Sequence, residues 1–144
     1  MFRAGAIAPA LSLSGGIMAG DRLNGLAQSL LDWNRRHLTA ASPLDVDHIA
    51  EKFAVSFTVK ANGRVYQADH QAYLGFLNGF RASIAAIDYD VHAMIAQGDA
   101  VVLPMTAAVT RLTGAVDRFE AMLMLRFDGH GLVTVWHEVY VPLS

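Results

Sequence analysis

The residue types that could do chemistry in this chain are few. It holds no cysteine, which removes disulfides, thiolate nucleophiles and thiolate metal sites together. Six histidines stand at positions 37, 48, 70, 92, 130 and 137. None shows H-x-x-x-H or H-x-H spacing, so no metal site is expected, and no cofactor is expected because enolate-type chemistry needs only a base and hydrogen-bond donors. No Gly-x-Ser-x-Gly elbow is present. His137 has the strongest claim, because a neutral imidazole can take a proton from carbon or oxygen and titrates near neutrality. It sits in an alternating run, where Val133, Val135, His137, Val139 and Val141 share one face and Thr134, Trp136, Glu138 and Tyr140 the other. The apolar set is expected to face the core, which places His137 inside as the candidate base. A core histidine bonded to a backbone carbonyl is the plainer alternative. The opposite parity would bring Glu138 and Tyr140 inside with Trp136, and a β-bulge is the feature that would produce it.

Ligand-binding candidates come from the helical segments. Trp33 and Tyr73 lie on apolar stripes and could form a pocket wall. His48 and Asp69 are the polar candidates, although Asp69 also suits a helix N-cap and His48 a solvated turn. Asp69 and His70 are adjacent, so their side chains diverge and adjacency makes no dyad. Asp45 and Asp47 beside His48 read as the acidic first turn of a helix.

The elements that must position these residues follow from periodicity. Asp21 is a plausible N-cap for a helix over about residues 21–38, with Leu23, Leu26, Leu30 and Trp33 in phase. Ser42-Pro43 opens a short second helix through Val46, Ile49 and Phe53. FAVSFTV, Asn62-Gly63 and RVYQ make a hairpin. A third helix carries Tyr73, Leu77, Phe80 and Ile84 on one face. A strand over 88–97 then leads through Gly98-Asp99 into three long strands, and this order argues an α+β domain over residues 21–144. Residues 1–20 are expected to be an arm packed on the domain or on a neighbour, since Pro9, Gly15 and Gly16 interrupt any signal-like run.

The bulk properties fit one ordinary domain. The chain has 144 residues, 53% of them hydrophobic and only 17% charged. This leaves apolar surface for a cavity or a subunit interface. A formal net charge of -2 argues against a nucleic-acid partner. The first twenty residues are too short and broken to span a membrane as a helix, and a cytoplasmic location is expected.

DWNRRHL, ADHQAYLGFLNGFRA, DYDVHAMIAQGDAVVLPMTAAVTR and LRFDGHGLVTVWHEV together resemble the SnoaL-like branch of the NTF2-like superfamily. The resemblance covers about Asp21 to Tyr140. It implies a cone-shaped NTF2-like (cystatin-like) fold, with a curved mixed sheet wrapped around the N-terminal helices. It also implies homodimers through the outer sheet face. Relatives that isomerise ketosteroids use a tyrosine on the first helix, and none stands there in this chain. Relatives of the polyketide-cyclase type use an aspartate and a histidine on the last strands, of which only His137 carries over. Epoxide hydrolases need an Asp–Arg–Asp constellation, which the expected interior positions do not supply. The fold is shared by many activities, so it implies no single reaction.

The combined expectation is a pocket for a small apolar, carbonyl-bearing molecule. An isomerase, cyclase or lyase would work there by acid–base chemistry with His137 as base. The alternative is a non-catalytic ligand-binding or dimerisation module. Met122, Met124, Trp136 and Tyr140 are expected to form the outer patch that pairs two copies.

Overall fold

The computed structural model describes the backbone of residues 10–144 and side chains from residue 19 onward. Helix α1 (Ala10–His37) is followed by α2 (Val46–Ala50), β1 (Phe53–Ala61), β2 (Arg64–Asp69) and α3 (His70–Arg81). The remainder is β3 (Ile84–Val91), β4 (Ile95–Gln97), β5 (Ala100–Arg111), β6 (Val116–Phe127) and β7 (Val133–Leu143). Asp21 is therefore interior to α1 and not its cap. Gly15 and Gly16 lie within the helix, an instance of helix propensity acting as a weak prior. Of the arm expected over residues 1–20, residues 1–9 lie outside the described residues and 10–20 belong to α1. The second helix opens at Asp45, whose carboxylate accepts from the His48 N–H while His48 accepts from the Asp45 N–H. This capping box displaces the expected start at Ser42. Ile84 begins β3 rather than ending α3, and the strand expected over 88–97 divides into β3 and β4.

One mixed sheet of seven strands runs β2-β1-β7-β6-β5-β3, with β4 attached to β5. The β1–β7 pair is parallel and the others are antiparallel. The order is an open path. β2 and β3 are its two ends and do not pair with each other, so the expected cone-shaped sheet wrapped around the N-terminal helices is incorrect. The physical reason is that α3 connects β2 to β3 across one face, leaving the two edge strands without a shared ladder. The fold is an α+β NTF2-like fold with an open mixed sheet.

The core joins that face to the helices. Leu23, Ala27, Leu30, Leu31 and Trp33 of α1 and Leu77 of α3 are buried in one cluster with Val101, Leu103 and Met105 of β5 and Ala121, Leu123 and Leu125 of β6. Alternation along β5 and β6 produces this face, because buried and exposed positions change with each residue. Among the described residues no helix is long and apolar enough to cross a membrane.

Two local features set the register of β7. Arg126 pairs with Val135 and Phe127 with Val133, so Thr134 is an extra residue in β7, a bulge held by its hydroxyl donating to the Arg126 carbonyl (3.3 Å). At the far end, the β1–β2 turn places Asn62 at φ 49° and Gly63 at φ 87°, as a tight Asn-Gly hairpin requires. The Asn62 side chain donates to the Tyr140 carbonyl (3.2 Å) and accepts from the Tyr140 N–H (2.8 Å), and its own N–H donates to the Glu138 carbonyl (3.0 Å). The turn thus pins residues 138–140 of β7.

Candidate functional site

The bulge decides which β7 side chains face the core. Directly opposed residues on neighbouring strands share a face. Leu125 pairs with Trp136, Leu123 with Glu138 and Ala121 with Tyr140, whereas Met124 pairs with His137 and Met122 with Val139. Trp136, Glu138 and Tyr140 therefore lie on the buried face, and His137 lies on the outer one beside Lys60 of β1. The inward placement of His137 is incorrect, and with it the premise for its role as base. Trp136 and Tyr140 likewise leave the expected outer patch, where Met122 and Met124 remain.

On the inner face a cavity of about 290 Å³ opens between α3, the C-terminal end of α1 and the sheet. Asn34 and Leu38 of α1 line it, with Tyr73, Phe76, Leu77 and Phe80 of α3. The sheet contributes Val59, Ala61, Ile87, Tyr89, Met105, Ala107, Val109, Arg111, Phe119, Leu123, Trp136, Glu138 and Tyr140. The wall is mostly apolar and aromatic. Among the described residues Glu138 is its single carboxylate and Arg111 its single cation, and Arg111 is already committed to Asp117 (Nε to Oδ2, 2.8 Å) and the Ser83 hydroxyl (3.0 Å).

Burial raises the Glu138 carboxyl above the usual range, and the Trp136 indole N–H, which donates to its Oε1 at 3.4 Å, offsets part of that rise. Three phenols line the cavity, Tyr73, Tyr89 and Tyr140, and the first two have hydroxyls shifted by burial. Burial pushes the Tyr73 hydroxyl up, and the nearby Glu138 and Tyr89 charges add to this. Tyr89 is also raised, first by burial, with a hydrogen bond from Asn34 opposing. Tyr73 and Tyr89 are therefore neutral donors at ordinary pH.

Tyr89 is held from several sides. The buried Asn34 amide donates to its hydroxyl oxygen at 3.1 Å, which leaves the phenol's own proton to donate elsewhere. The Arg35 guanidinium lies 5.4 Å from the ring centroid and donates to the Tyr89 carbonyl at 3.1 Å. Asp88 accepts from both Arg35 Nε (2.7 Å) and the Tyr89 N–H (2.8 Å). The Arg35 hydrogen bond holds the Asp88 carboxyl below its usual value, and Asp88 in turn raises Arg35. Arg35 also bonds Asp32 at 2.7 Å, so an Asp–Arg–Asp arrangement does exist. It lies on the exposed side of α1, outside the cavity, where solvent screens both carboxylates.

The other residues singled out from sequence scatter. Tyr73 lines the cavity. Trp33 is a fully buried core residue, packed on His37 and Phe53 and donating its indole N–H to the His48 carbonyl at 3.2 Å. His48 completes the α2 capping box and stacks on His37 at 4.6 Å. Asp69 accepts from the Ala72 N–H at 2.8 Å and caps α3. None of these three lines the cavity. Glu138 is the cavity residue that the opposite parity offered, whereas Tyr89, Asn34 and Phe119 are wall residues that sequence reasoning did not single out. Parity offered a signal for Glu138, and alternation one for Tyr89. For Asn34 there was none. Among the described residues no group of three histidine, aspartate or glutamate side chains could hold a metal ion.

Comparison with known proteins agrees with this architecture. The chain resembles a LEH-like epoxide hydrolase from M. tuberculosis, at 14% identity over 84% of each chain with a TM-score of 0.65. It also resembles a candidate polyketide cyclase from Acidithiobacillus ferrooxidans, at 17% identity over 83% of this chain and 87% of that one, TM-score 0.65. A candidate SnoaL-like polyketide cyclase from Shewanella denitrificans superposes with a TM-score of 0.67 at 14% identity, over 83% of this chain and 90% of that one. Such identities establish a shared fold and nothing finer. No curated protein matches the chain in sequence. The model of the SnoaL-like domain matches residues 34–136, from Asn34 of α1 to Trp136 of β7, which takes in the cavity residues named above except Glu138 and Tyr140, and the chain belongs to the SnoaL-like family of NTF2-like proteins.

Proposed function

We propose that the protein is an acid–base enzyme acting on a small, neutral, carbonyl-bearing molecule held in the inner cavity, with Glu138 as the proton carrier. The observation that carries this reading is one carboxylate, the single one among the described wall residues, raised by burial in an apolar cavity beside the buried phenols of Tyr73 and Tyr89. A carboxyl raised above its ordinary range is a stronger base once ionised than a solvated one, which suits it to taking a proton and returning it. The Glu138 carboxylate removes a proton from the carbon beside the ligand carbonyl. The C–H electron pair becomes the new C–C π bond and the carbonyl π pair moves onto oxygen. Tyr89, whose proton Asn34 leaves free, donates to that oxyanion, and Tyr73 is the second donor. Return of the proton from Glu138 to the same carbon gives exchange, and to the far carbon of a ketone that carries a β,γ double bond it completes an isomerisation. The epoxide-hydrolase and polyketide-cyclase descriptions of the fold relatives are compatible with small uncharged ligands in such a cavity.

Deuterium uptake beside the carbonyl of 1-decalone in D2O, followed by NMR, tests the proposal. Wild-type protein is expected to accelerate exchange over buffer, and Glu138→Gln to lose about 10²–10⁴ of that acceleration. Equal rates for the two proteins would refute the assignment.

The outer face serves assembly in this reading. Met122 and Val139, directly paired, are 52% and 54% exposed, and Val141 beside them is 53% exposed. Together with Met124 they form a small apolar patch, bordered on the same face by Glu120, Arg126 and His137, that a second copy of the chain would cover. It replaces the patch expected from sequence, since Trp136 and Tyr140 turn inward.

A further inference from the structure

We infer that the end of the molecule at which the cavity opens docks on an anionic lipid surface, so that an apolar ligand passes between bilayer and cavity without crossing water. The topology builds this end. The β1–β2 turn, the β5–β6 turn, the connection from α3 to β3 and the last residues of β7 all lie there, since β1, β5 and β7 finish at it and β2, β3 and β6 begin at it. The Leu112 N–H donates to the Ser83 carbonyl at 2.9 Å and joins two of these connections. Phe76, Phe80 and Tyr140 line the cavity and are 55%, 42% and 37% exposed, so the cavity reaches the surface among them.

The surface around that opening is both apolar and positive. Tyr66, Leu112, Val116 and Leu143 stand exposed there with Phe76 and Phe80. Leu112 and Val116 flank a turn, where polar residues are usual, yet they are 63% and 46% exposed. An exposed apolar patch rimmed by polar groups marks a protein or membrane contact. Its charge decides between them. Arg64 is in register with the cavity residue Ala61, and Arg118 with Leu143. Both arginines are exposed, and neither takes part in an ion pair among the described residues. Arg81 donates to the Thr39 and Ser42 carbonyls and keeps its charge. Arg111 is matched by Asp117, and Glu120 lies further in on the outer face. A second copy docked end to end would set one positive surface against another. An anionic headgroup layer instead meets the arginines with charge and the apolar side chains with hydrocarbon. Arginine suits that boundary, because its stem lies along apolar surface while its guanidinium forks onto phosphate oxygens. Side chains resting in the interface need no spanning helix. Docking sets how the cavity is reached and does not depend on which residue carries the proton.

Co-sedimentation of the full chain with vesicles tests this. Vesicles of phosphatidylcholine with about one-third phosphatidylserine should bind the protein, vesicles of phosphatidylcholine alone should bind it weakly, and raising salt from about 0.05 to 0.5 M should release it. Arg64→Ser/Arg118→Ser should weaken partitioning about 30-fold. Leu112→Ser/Val116→Ser should weaken it about tenfold, and circular dichroism confirms that both variants are folded. Failure of the parent protein to bind the anionic vesicles overturns the inference, as does binding that neither variant weakens. Weakening by the arginine pair alone means adsorption by charge with the apolar end unused, which also overturns it. Should Leu112→Ser/Val116→Ser turn a dimeric parent into a monomer in sedimentation velocity, this end is a contact between copies and the lipid assignment fails.

Discussion

Replacing Glu138 with glutamine should separate function from stability, because the group proposed for catalysis is one whose charge the fold disfavours. The carboxylate faces an apolar wall, and its one side-chain donor is the Trp136 indole at 3.4 Å. Burial raises its folded pKa above the value of about 4.3 expected in the unfolded chain. A raised carboxyl keeps its proton longer in the folded state, so between the two pKa values the native protein binds more protons than the unfolded one. Stability then falls as pH rises through that window, with a slope of at most about 1.4 kcal/mol per pH unit for one group. Above the folded pKa the loss is complete and the curve is level. Glutamine keeps the shape and the acceptor oxygen but has no charge to desolvate. At neutral pH Glu138→Gln should therefore gain about 0.5–2 kcal/mol, the range common for relieving an active-site strain, or roughly 2–8 °C in melting temperature.

The assay is urea unfolding of both proteins at several values between about pH 4 and pH 9, read as a difference curve. Asp88, lowered chiefly by Arg35, and Asp128, lowered chiefly by the Leu132 N–H, contribute the opposite sign. Their stabilisation is present above the unfolded carboxyl range and is lost as pH falls through their depressed values. Both are common to the two proteins and cancel in the difference. The curve should be near zero at the acid end and rise to a plateau favouring glutamine. A flat curve, or a variant less stable at alkaline than at acid pH, would refute the claim that Glu138 is a disfavoured charge.

Three further expectations use independent parts of the structure. Tyr89→Phe, which removes the phenol that Asn34 orients, should slow ketone exchange about 10²-fold while calorimetric affinity changes little; an unchanged rate would exclude Tyr89 as the oxyanion donor. Val139→Glu places a charge in the outer patch, and sedimentation velocity should then show a monomer where the parent shows a dimer; a parent that is monomeric at micromolar concentration defeats the assembly proposal. Gly131→Ala forces a side chain onto φ 81° with its Cβ 3.1 Å from Leu26 Cδ2, and should cost about 1–2 kcal/mol in urea unfolding, whereas no measurable loss would mean the turn relaxes freely.

Periodicity in the sequence identified most elements because each alternation or helical stripe is local. The Asn62-Gly63 hairpin, α3 with its Asp69 cap and the three long strands all follow from such signals. Helix starts were less legible. Asp45 competes with Ser42 for the second helix, and only the reciprocal bond with His48 decides it. The open path of the sheet was not legible, because whether two edge strands meet depends on how α3 crosses between them. In the site, Tyr73 was visible from its helix stripe, but Asn34 and Tyr89 are 55 residues apart and become a pair only in three dimensions.

The one extra residue at Thr134 accounts for two departures from ordinary patterning at once. A regular β7 with Val139 and Val141 inside and Glu138 and Tyr140 in water would serve stability better, since it buries methyl groups and solvates a carboxylate. The bulge keeps Val133 fully buried against the core, then reverses the faces beyond it. Glu138 is thereby moved to the cavity and the valines to the outer surface. These two costs are not independent events that chance brought together, because the same register change imposes both. An arrangement that is unfavourable on both faces is what the two proposals call for, an inner carboxyl raised by burial to carry the proton and an outer apolar surface to meet a second copy. The catalytic and assembly proposals are thus coupled through a single backbone position. Asn62 reinforces that coupling from the other end of the strand, where its bonds to residues 138 and 140 oppose a slip back to the regular register.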